Sequence, residues 1–262
     1  MQPPSMSGKI CVVTGANSGI GKETTLGLAQ MGAHLVMVCR SAEKGKAAQE
    51  EIRQESGSLH VDLLIADMSS QESVRAVAEE IRRKCPRLDV LVNNAGGAAP
   101  ARTLSADGIE MTLATNHLGP SLLTLLLLDM LKASAPARIV NVSSAEAQRP
   151  VRLEMNDLQF ERRKYRGIAA YAQSKLLMNA FTFELSRRLA GTGVTANCLH
   201  PGVVAKNFWA ANPAPLIGKL IIAVSRDFLR RWHKSQETSS SPSPPSEFGM
   251  LDSIVSAKEA CT

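Results

Sequence analysis

The segment Thr14-Gly15-Ala16-Asn17-Ser18-Gly19-Ile20-Gly21 places three glycines immediately behind the short apolar run 9–14. Glycine at such a point allows left-handed backbone and a close approach that a Cβ would block. A helix beginning there also offers unpaired backbone N–H groups, which suit a pyrophosphate. A glycine cluster by itself is equally an ordinary turn, so its position has to decide. Here a helical stretch at about 20–31 and a second apolar run at 33–39 follow, and together they read as a βαβ unit. In that setting Gly15, Asn17, Ser18, Gly19, Ile20 and Gly21 are the expected dinucleotide cradle.

The alternation continues along the chain. A charged amphipathic helix follows Ala42, then come a strand at 61–66, a helix at 71–84, strands at 90–92 and 138–142, a long helix at 170–189 and a strand at 194–198. Strands separated by helices of this length predict an α/β fold, a doubly wound parallel sheet covered on both faces. With 262 residues, 44% of them apolar, one large domain is expected rather than two small ones. The most apolar stretch, 118–131, is interrupted by Pro120, Thr124 and Asp129 and has the length of a core or interface helix, not of a membrane span. No signal peptide is read at the N-terminus. Cys11, Cys39, Cys85, Cys198 and Cys261 are odd in number and lack metal-ligand spacing, so free thiols, no metal and a reducing, cytoplasmic setting are expected. The formal charge of +6 suits an anionic ligand or a membrane surface and does not call for nucleic acid.

Arg40 ends the second strand, where an NAD-selective domain usually carries an acid for the ribose hydroxyls. An arginine there can pair with a 2′-phosphate instead, so NADP (NADPH) is the expected coenzyme. Lys44 and Lys46 are near enough to assist or simply line a solvated helix face. Asp67, ending the third strand, either accepts from the adenine amine or caps the following helix.

Tyr171 and Lys175 stand four residues apart, which on a helix puts both on one face. An ammonium beside a phenol favours the phenolate and would fit the tyrosine for general acid or base work, although such a pair alone is usually a surface contact. Ser143 and Ser144 follow the strand at 138–142, on the edge where open α/β sheets place their sites, and either can hold a carbonyl oxygen or cap a turn. Asn116 lies in a helical stretch next to Pro120, a combination that predicts a local kink with room for an ordered water.

The glycine loop, Asn93-Asn94-Ala95-Gly96, Asn116, Ser144, Tyr171-Ala172-Gln173-Ser174-Lys175 and His200-Pro201-Gly202 together resemble the short-chain dehydrogenases/reductases over roughly residues 9–232. Cys39-Arg40, Asn116-His117-Leu118-Gly119 and Asn156-Asp157-Leu158 look most like the retinol-dehydrogenase-like branch. The resemblance implies a Rossmann-type sheet of about seven parallel strands. It implies that Tyr171 exchanges a proton with the substrate oxygen, that Lys175 lowers the tyrosine pKa and holds the nicotinamide ribose, that Ser144 rather than Ser143 polarises the oxygen, and that Asn116 retains a relay water. Asn93 would lie over the adenine-ribose side, while Ala95, Gly96, Pro201 and Gly202 would complete the cofactor contacts. The implied reaction interconverts a carbonyl and a primary or secondary alcohol on a small lipophilic, retinoid-like substrate, and a homodimer falls within the expectation.

The carboxyl end departs from this pattern. Lys206 stands where the family commonly has threonine, and Ser/Pro-rich composition begins near residue 234, so a domain at 1–233 and an atypical, disordered tail at 234–262 are expected. Residues 215–232 read as an apolar helix bearing Lys219, Arg226, Arg230 and Arg231, which either packs on the core or touches an anionic membrane peripherally. Residues 251–257 offer one weak strand, so the last strand is expected to be missing or altered. A protein that binds cofactor but turns over little substrate is the alternative reading.

Overall fold

The computed structural model describes residues 5–148 and 153–201. The first strand, β1 (Ile10–Thr14), is buried along its whole length. Its successive side chains alternate between two cores, as the pleat requires. Val12 joins Val36, Val38 and Leu64 on one face, whereas Cys11 and Val13 join Leu35, Met37 and Cys39 on the other. A strand apolar on both sides needs helices on both sides.

Those helices follow the strands in sequence. The elements run β1, α1 (Gly19–Gln30), β2 (His34–Cys39), α2 (Ala42–Ser56), β3 (Val61–Ile65), α3 (Gln71–Lys84) and β4 (Val90–Asn93). A short turn α4 (Met111–Leu113), a π turn (Ala114–Leu118), α5 (Gly119–Leu126) and α6 (Leu128–Ala133) lead to β5 (Ala137–Val142). Then come α7 (Gly167–Arg188) and β6 (Val194–Leu199). Leu28 of α1 and Ala48 and Ile52 of α2 cover one face of the sheet. Val74, Val77 and Ile81 of α3, Leu123 of α5, Leu131 of α6 and Leu185 of α7 cover the other.

The strands form one six-stranded parallel sheet in the order β3-β2-β1-β4-β5-β6. Strand order reverses between β1 and β4, so a crevice opens at their carboxyl ends, the position at which doubly wound sheets bind ligands. The expected doubly wound fold is thus present. The seventh strand, the 215–232 helix, the Ser/Pro-rich tail and the boundary at 233 all fall outside the described residues. So do Gly202, Lys206 and Cys261.

Of two local expectations, the single helix at 118–131 needs correcting, whereas the departure from a regular helix expected at Asn116 is present and takes a definite form. The apolar stretch 118–131 is two helices joined at Leu127, whose φ of −95° and ψ of 2° end the first α-helix. The kink at Asn116 is a π turn, with the N–H of Gly119 bonded to the carbonyl of Ala114. Pro120 lacks the N–H that an α-helix would give to the Asn116 carbonyl four residues earlier. A Cβ on Gly119 would overlap the backbone of Met68, so the helix is pressed directly against that neighbouring loop. Among the described residues, no helix is long and apolar enough to cross a membrane.

Candidate active site

The cradle is built mainly from backbone. Thr14 ends β1, and its hydroxyl accepts the N–H groups of Asn94 (3.0 Å) and Ala95 (3.0 Å) from the loop after β4. In return the Asn94 amide donates to the carbonyl of Thr14 at 2.8 Å. Gly15 has φ of 67°, and a Cβ there would stand 2.9 Å from Ala95 Cα. A Cβ on Gly21 would overlap the carbonyl oxygen of Gly15 and the amide of Asn94. Only glycines let the two loops close to this distance. The N-cap of α1, Ser18, is extended and makes no side-chain cap hydrogen bond, so the first-turn N–H groups keep their affinity for an anion.

Asn17 and Ser18 line a surface hollow of about 400 Å³ with Lys22, Lys44, Ala47, Ala48 and Glu51. Lys22 pairs with Glu51 across it. Arg40, directly after β2, is exposed. Asp67 neither caps α3 nor stands free: its Oδ1 accepts the N–H (2.8 Å) and hydroxyl (2.7 Å) of Ser69 in a tight turn. The cap of α3 is Ser70, whose hydroxyl accepts from Ser73 N–H.

Asn93 is placed differently from the expectation. Its side chain is buried and donates to Thr124 Oγ1 and Asn141 Oδ1, both at 2.8 Å, tying β4 to α5 and β5. Alternation along β4 turns Asn93 into the core. The next residue, Asn94, is the one whose amide reaches the cradle.

The reacting end gathers on the same sheet edge. Ser144 follows β5, and its hydroxyl bonds that of Tyr171 while also accepting Glu146 N–H at 3.2 Å. Ser143 is buried, with its hydroxyl committed to Asn179 at 2.6 Å, which leaves Ser144 as the available serine. Lys175 Nζ lies 5.7 Å from the centre of the Tyr171 ring and donates to the Val142 carbonyl at 2.7 Å. Burial lowers the Lys175 pKa to about 8. Burial also pushes the Tyr171 phenol up, against the Ser144 hydrogen bond, which pulls it down, and with Glu146, which raises it further. The expected phenolate-favouring shift is therefore not present in this arrangement, because desolvation penalises the phenolate.

Asn116 is 1% exposed, and its side-chain amide is fully engaged in positioning. Its Nδ2 donates to the Gly97 carbonyl (2.8 Å) and Ser174 Oγ (2.9 Å), and its Oδ1 accepts Gly97 N–H at 2.9 Å. Ser174 in turn donates to the Tyr171 carbonyl at 2.7 Å. A Cβ on Gly96 would come within 3.0 Å of Asn116 Oδ1 and 3.4 Å of Lys175 Nζ, so the loop after β4 meets both catalytic candidates. Pro201 lies just beyond β6, half-buried. Thr14, Asn94, Gly97 and Ser174 were missed as site residues; the signal for Thr14 was a buried hydroxyl at the very end of β1.

Residues 9–156 match the family model described as short chain dehydrogenase. Retinol dehydrogenase 13 of Homo sapiens is 49% identical over 199 residues, covering 76% of this chain and 60% of that protein. The chain spans about six tenths of the length of the curated relatives it matches. A crystal structure of an uncharacterized protein from Mycobacterium paratuberculosis superposes with a TM-score of 0.69 at 36% identity, covering 82% of this chain and 80% of that one. A protein named as an NAD(P)-dependent gluconate 5-dehydrogenase from Beutenbergia cavernae, with NADP bound, gives a TM-score of 0.67 at 32% identity over 84% and 82% of the two chains.

Proposed function

We propose, from the premise that this chain belongs to the short-chain dehydrogenase family in its retinol-dehydrogenase-like branch, that it is an NADP-dependent oxidoreductase interconverting an alcohol and a carbonyl on a small lipophilic substrate. The observation that carries this reading is the convergence of Ser144, Tyr171 and Lys175 beside Gly96, on the sheet edge that also bears the cradle. Bound NADPH would supply the hydride and NADP would accept it. The fit is supported by a loop that a Cβ on Gly15 or Gly21 would fill and by the uncapped start of α1. The exposed Arg40 favours the 2′-phosphate.

In this reading Gly15, Asn17, Ser18, Gly19, Ile20 and Gly21 hold the pyrophosphate end, and Ala95 and Gly96 border the nicotinamide end. Ser144 donates to the substrate oxygen and orients it. Tyr171 gives that oxygen a proton on reduction and takes one on oxidation. Lys175, a cation 5.7 Å from the centre of the phenol ring, offsets the cost of the phenolate that forms in passing. Asn116 fixes Gly97 and, through Ser174, the backbone at Tyr171; the relay water assigned to it would rest on the carbonyl that Pro120 cannot serve rather than on its occupied amide. The retinol named in the relatives makes a retinoid alcohol or aldehyde the first substrate to test.

The test is Tyr171→Phe. Turnover of retinaldehyde with NADPH should fall by roughly 10²–10⁴-fold, the usual weight of a general acid, while NADPH affinity stays within a few-fold. Undiminished turnover would remove Tyr171 from the mechanism.

A further inference from the structure

The motif Asn156-Asp157-Leu158 has no part in the chemistry above, yet it lies at the centre of a knot of bonds next to the catalytic helix. Tyr171 stands five residues into α7, whose start is poorly provided for. Arg166 occupies the N-cap with φ of −136° and ψ of 113°, makes no side-chain cap hydrogen bond, and no acid follows in the first turn. Helix ends without a capping acceptor leave backbone donors unpaired and tend to fray. Fraying here would swing the Tyr171 hydroxyl away from Ser144.

The strap at 153–166 caps none of these donors but ties the helix down from outside, through the side chain of Gln173. The Asp157 carboxylate collects the backbone N–H groups of Glu161 (2.7 Å), Arg162 (3.1 Å) and Arg163 (3.1 Å), and pairs with Arg163 Nε at 3.0 Å. Arg163 Nη2 donates to the Asp157 carbonyl at 2.8 Å and to Gln173 Oε1 at 3.1 Å. Gln173, buried on α7 two residues beyond Tyr171, returns a bond from Nε2 to the Leu158 carbonyl at 2.7 Å. The turn is tight enough to hold Phe160 at φ of 53°, with the Arg163 guanidinium 4.1 Å above its ring. An aromatic residue in left-handed backbone is strained and persists only where its surroundings determine it. The far side is anchored too: Arg102 Nε donates to the Gln159 carbonyl at 2.8 Å, and the Tyr165 hydroxyl to Glu110 Oε1 at 3.0 Å. Beneath the strap Gly167 lies so near that a Cβ would stand 2.5 Å from the Ala99 carbonyl oxygen.

We infer that Asp157, Arg163 and Gln173 form a clasp that anchors the second turn of α7 to the strap, holding the start of an uncapped helix in place and hence the aim of the Tyr171 hydroxyl. All three are positioning residues and none touches the substrate. The catalytic consequence rests on the proposed role of Tyr171, whereas the anchoring does not.

Arg163→Lys keeps the charge but loses the fork that reaches Asp157 and Gln173 together. Adding Arg166→Asp to it puts an acceptor at an extended N-cap and a negative charge at the helix start. Backbone hydrogen exchange over residues 170–174, measured on the full chain, should quicken on the order of five- to ten-fold in Arg163→Lys, the weight of one lost side-chain hydrogen bond, and return towards wild type in the double variant. With retinaldehyde, kcat should fall and recover in parallel, with KM changing less and NADPH affinity staying within three-fold. Should Arg163→Lys fail to fold, Gln173→Met removes the same link and is judged by the same readings. Unchanged exchange in Arg163→Lys overturns the clasp, as does a double variant that regains slow exchange without regaining kcat. Tyr171→Phe run alongside separates the two ideas: if it still turns over, the tyrosine assignment fails, and exchange alone then decides the clasp.

Discussion

The cradle after β1 and the reacting end after β5 share one sheet edge but are made from different material. The cradle is backbone against backbone, closed by Thr14 and Asn94 and by the missing Cβ atoms of Gly15 and Gly21. The reacting end is made of side chains whose protonation burial controls, with Lys175 held near 8 and Tyr171 pushed up. The first should therefore be intolerant of added atoms, and the second of lost functional groups.

The strongest way to break that contrast is Gly21→Ala. One methyl group there must displace Gly15 or Asn94, and displacements near 1 Å at a binding site cost about 10²-fold. NADPH affinity measured by fluorescence should fall by about that factor in a chain that still folds; near-normal affinity would mean the loops are not close-packed by necessity. Arg40→Asp adds no bulk and alters only charge at the outer rim of the cradle. The NADPH/NADH ratio of kcat/KM should drop by about ten-fold or more, since a charge-assisted bond is replaced by repulsion. A wild-type enzyme that already prefers NADH would reverse the assignment.

His117→Gln sharpens the other side of the contrast and has the smallest effect at neutral pH. Burial lowers the His117 pKa from 6.5 to about 4, and its Nδ1 has no hydrogen-bond partner among the described residues. Between those values the unfolded chain binds a proton that the folded chain refuses, so stability falls as pH drops from 6.5 towards 4. Urea midpoints should show the variant spared roughly 2 kcal/mol of the wild-type loss at pH 5, with that contribution absent at pH 7. Parallel acid limbs would mean that His117 titrates normally.

Legibility followed the same division. The six described strands, the long helix of Tyr171 and the cradle could be read because apolar runs, helical spacing and glycines are local signals. Which of two adjacent asparagines faces the cradle could not, because Asn93 and Asn94 differ only by one step of strand alternation and the end of β4 sets the phase. The break at Leu127 has no glycine or proline to mark it. The positions of Asp67 beside Ser69 and of Asp157 beneath Arg163 arise from turns that put together residues several apart. The rise in the Tyr171 pKa was illegible for another reason: i, i+4 spacing specifies a neighbour, whereas burial depends on everything packed around it.

The π turn at Ala114–Leu118 also sets an angle. An α-helix advances about 100° per residue, so the extra residue of a π turn offsets everything after it by about that amount. Upstream of the offset Thr112 accepts from Ala99 N–H, and within it Asn116 faces Gly97 and Ser174. Downstream, Leu123 faces the core and Thr124 meets Asn93. A plain helix has one phase and would present only one of these sets correctly. Removing a single residue between 114 and 118 would leave the hydrophobic composition nearly untouched, yet it would force the chain to choose between a sealed core and an assembled catalytic edge.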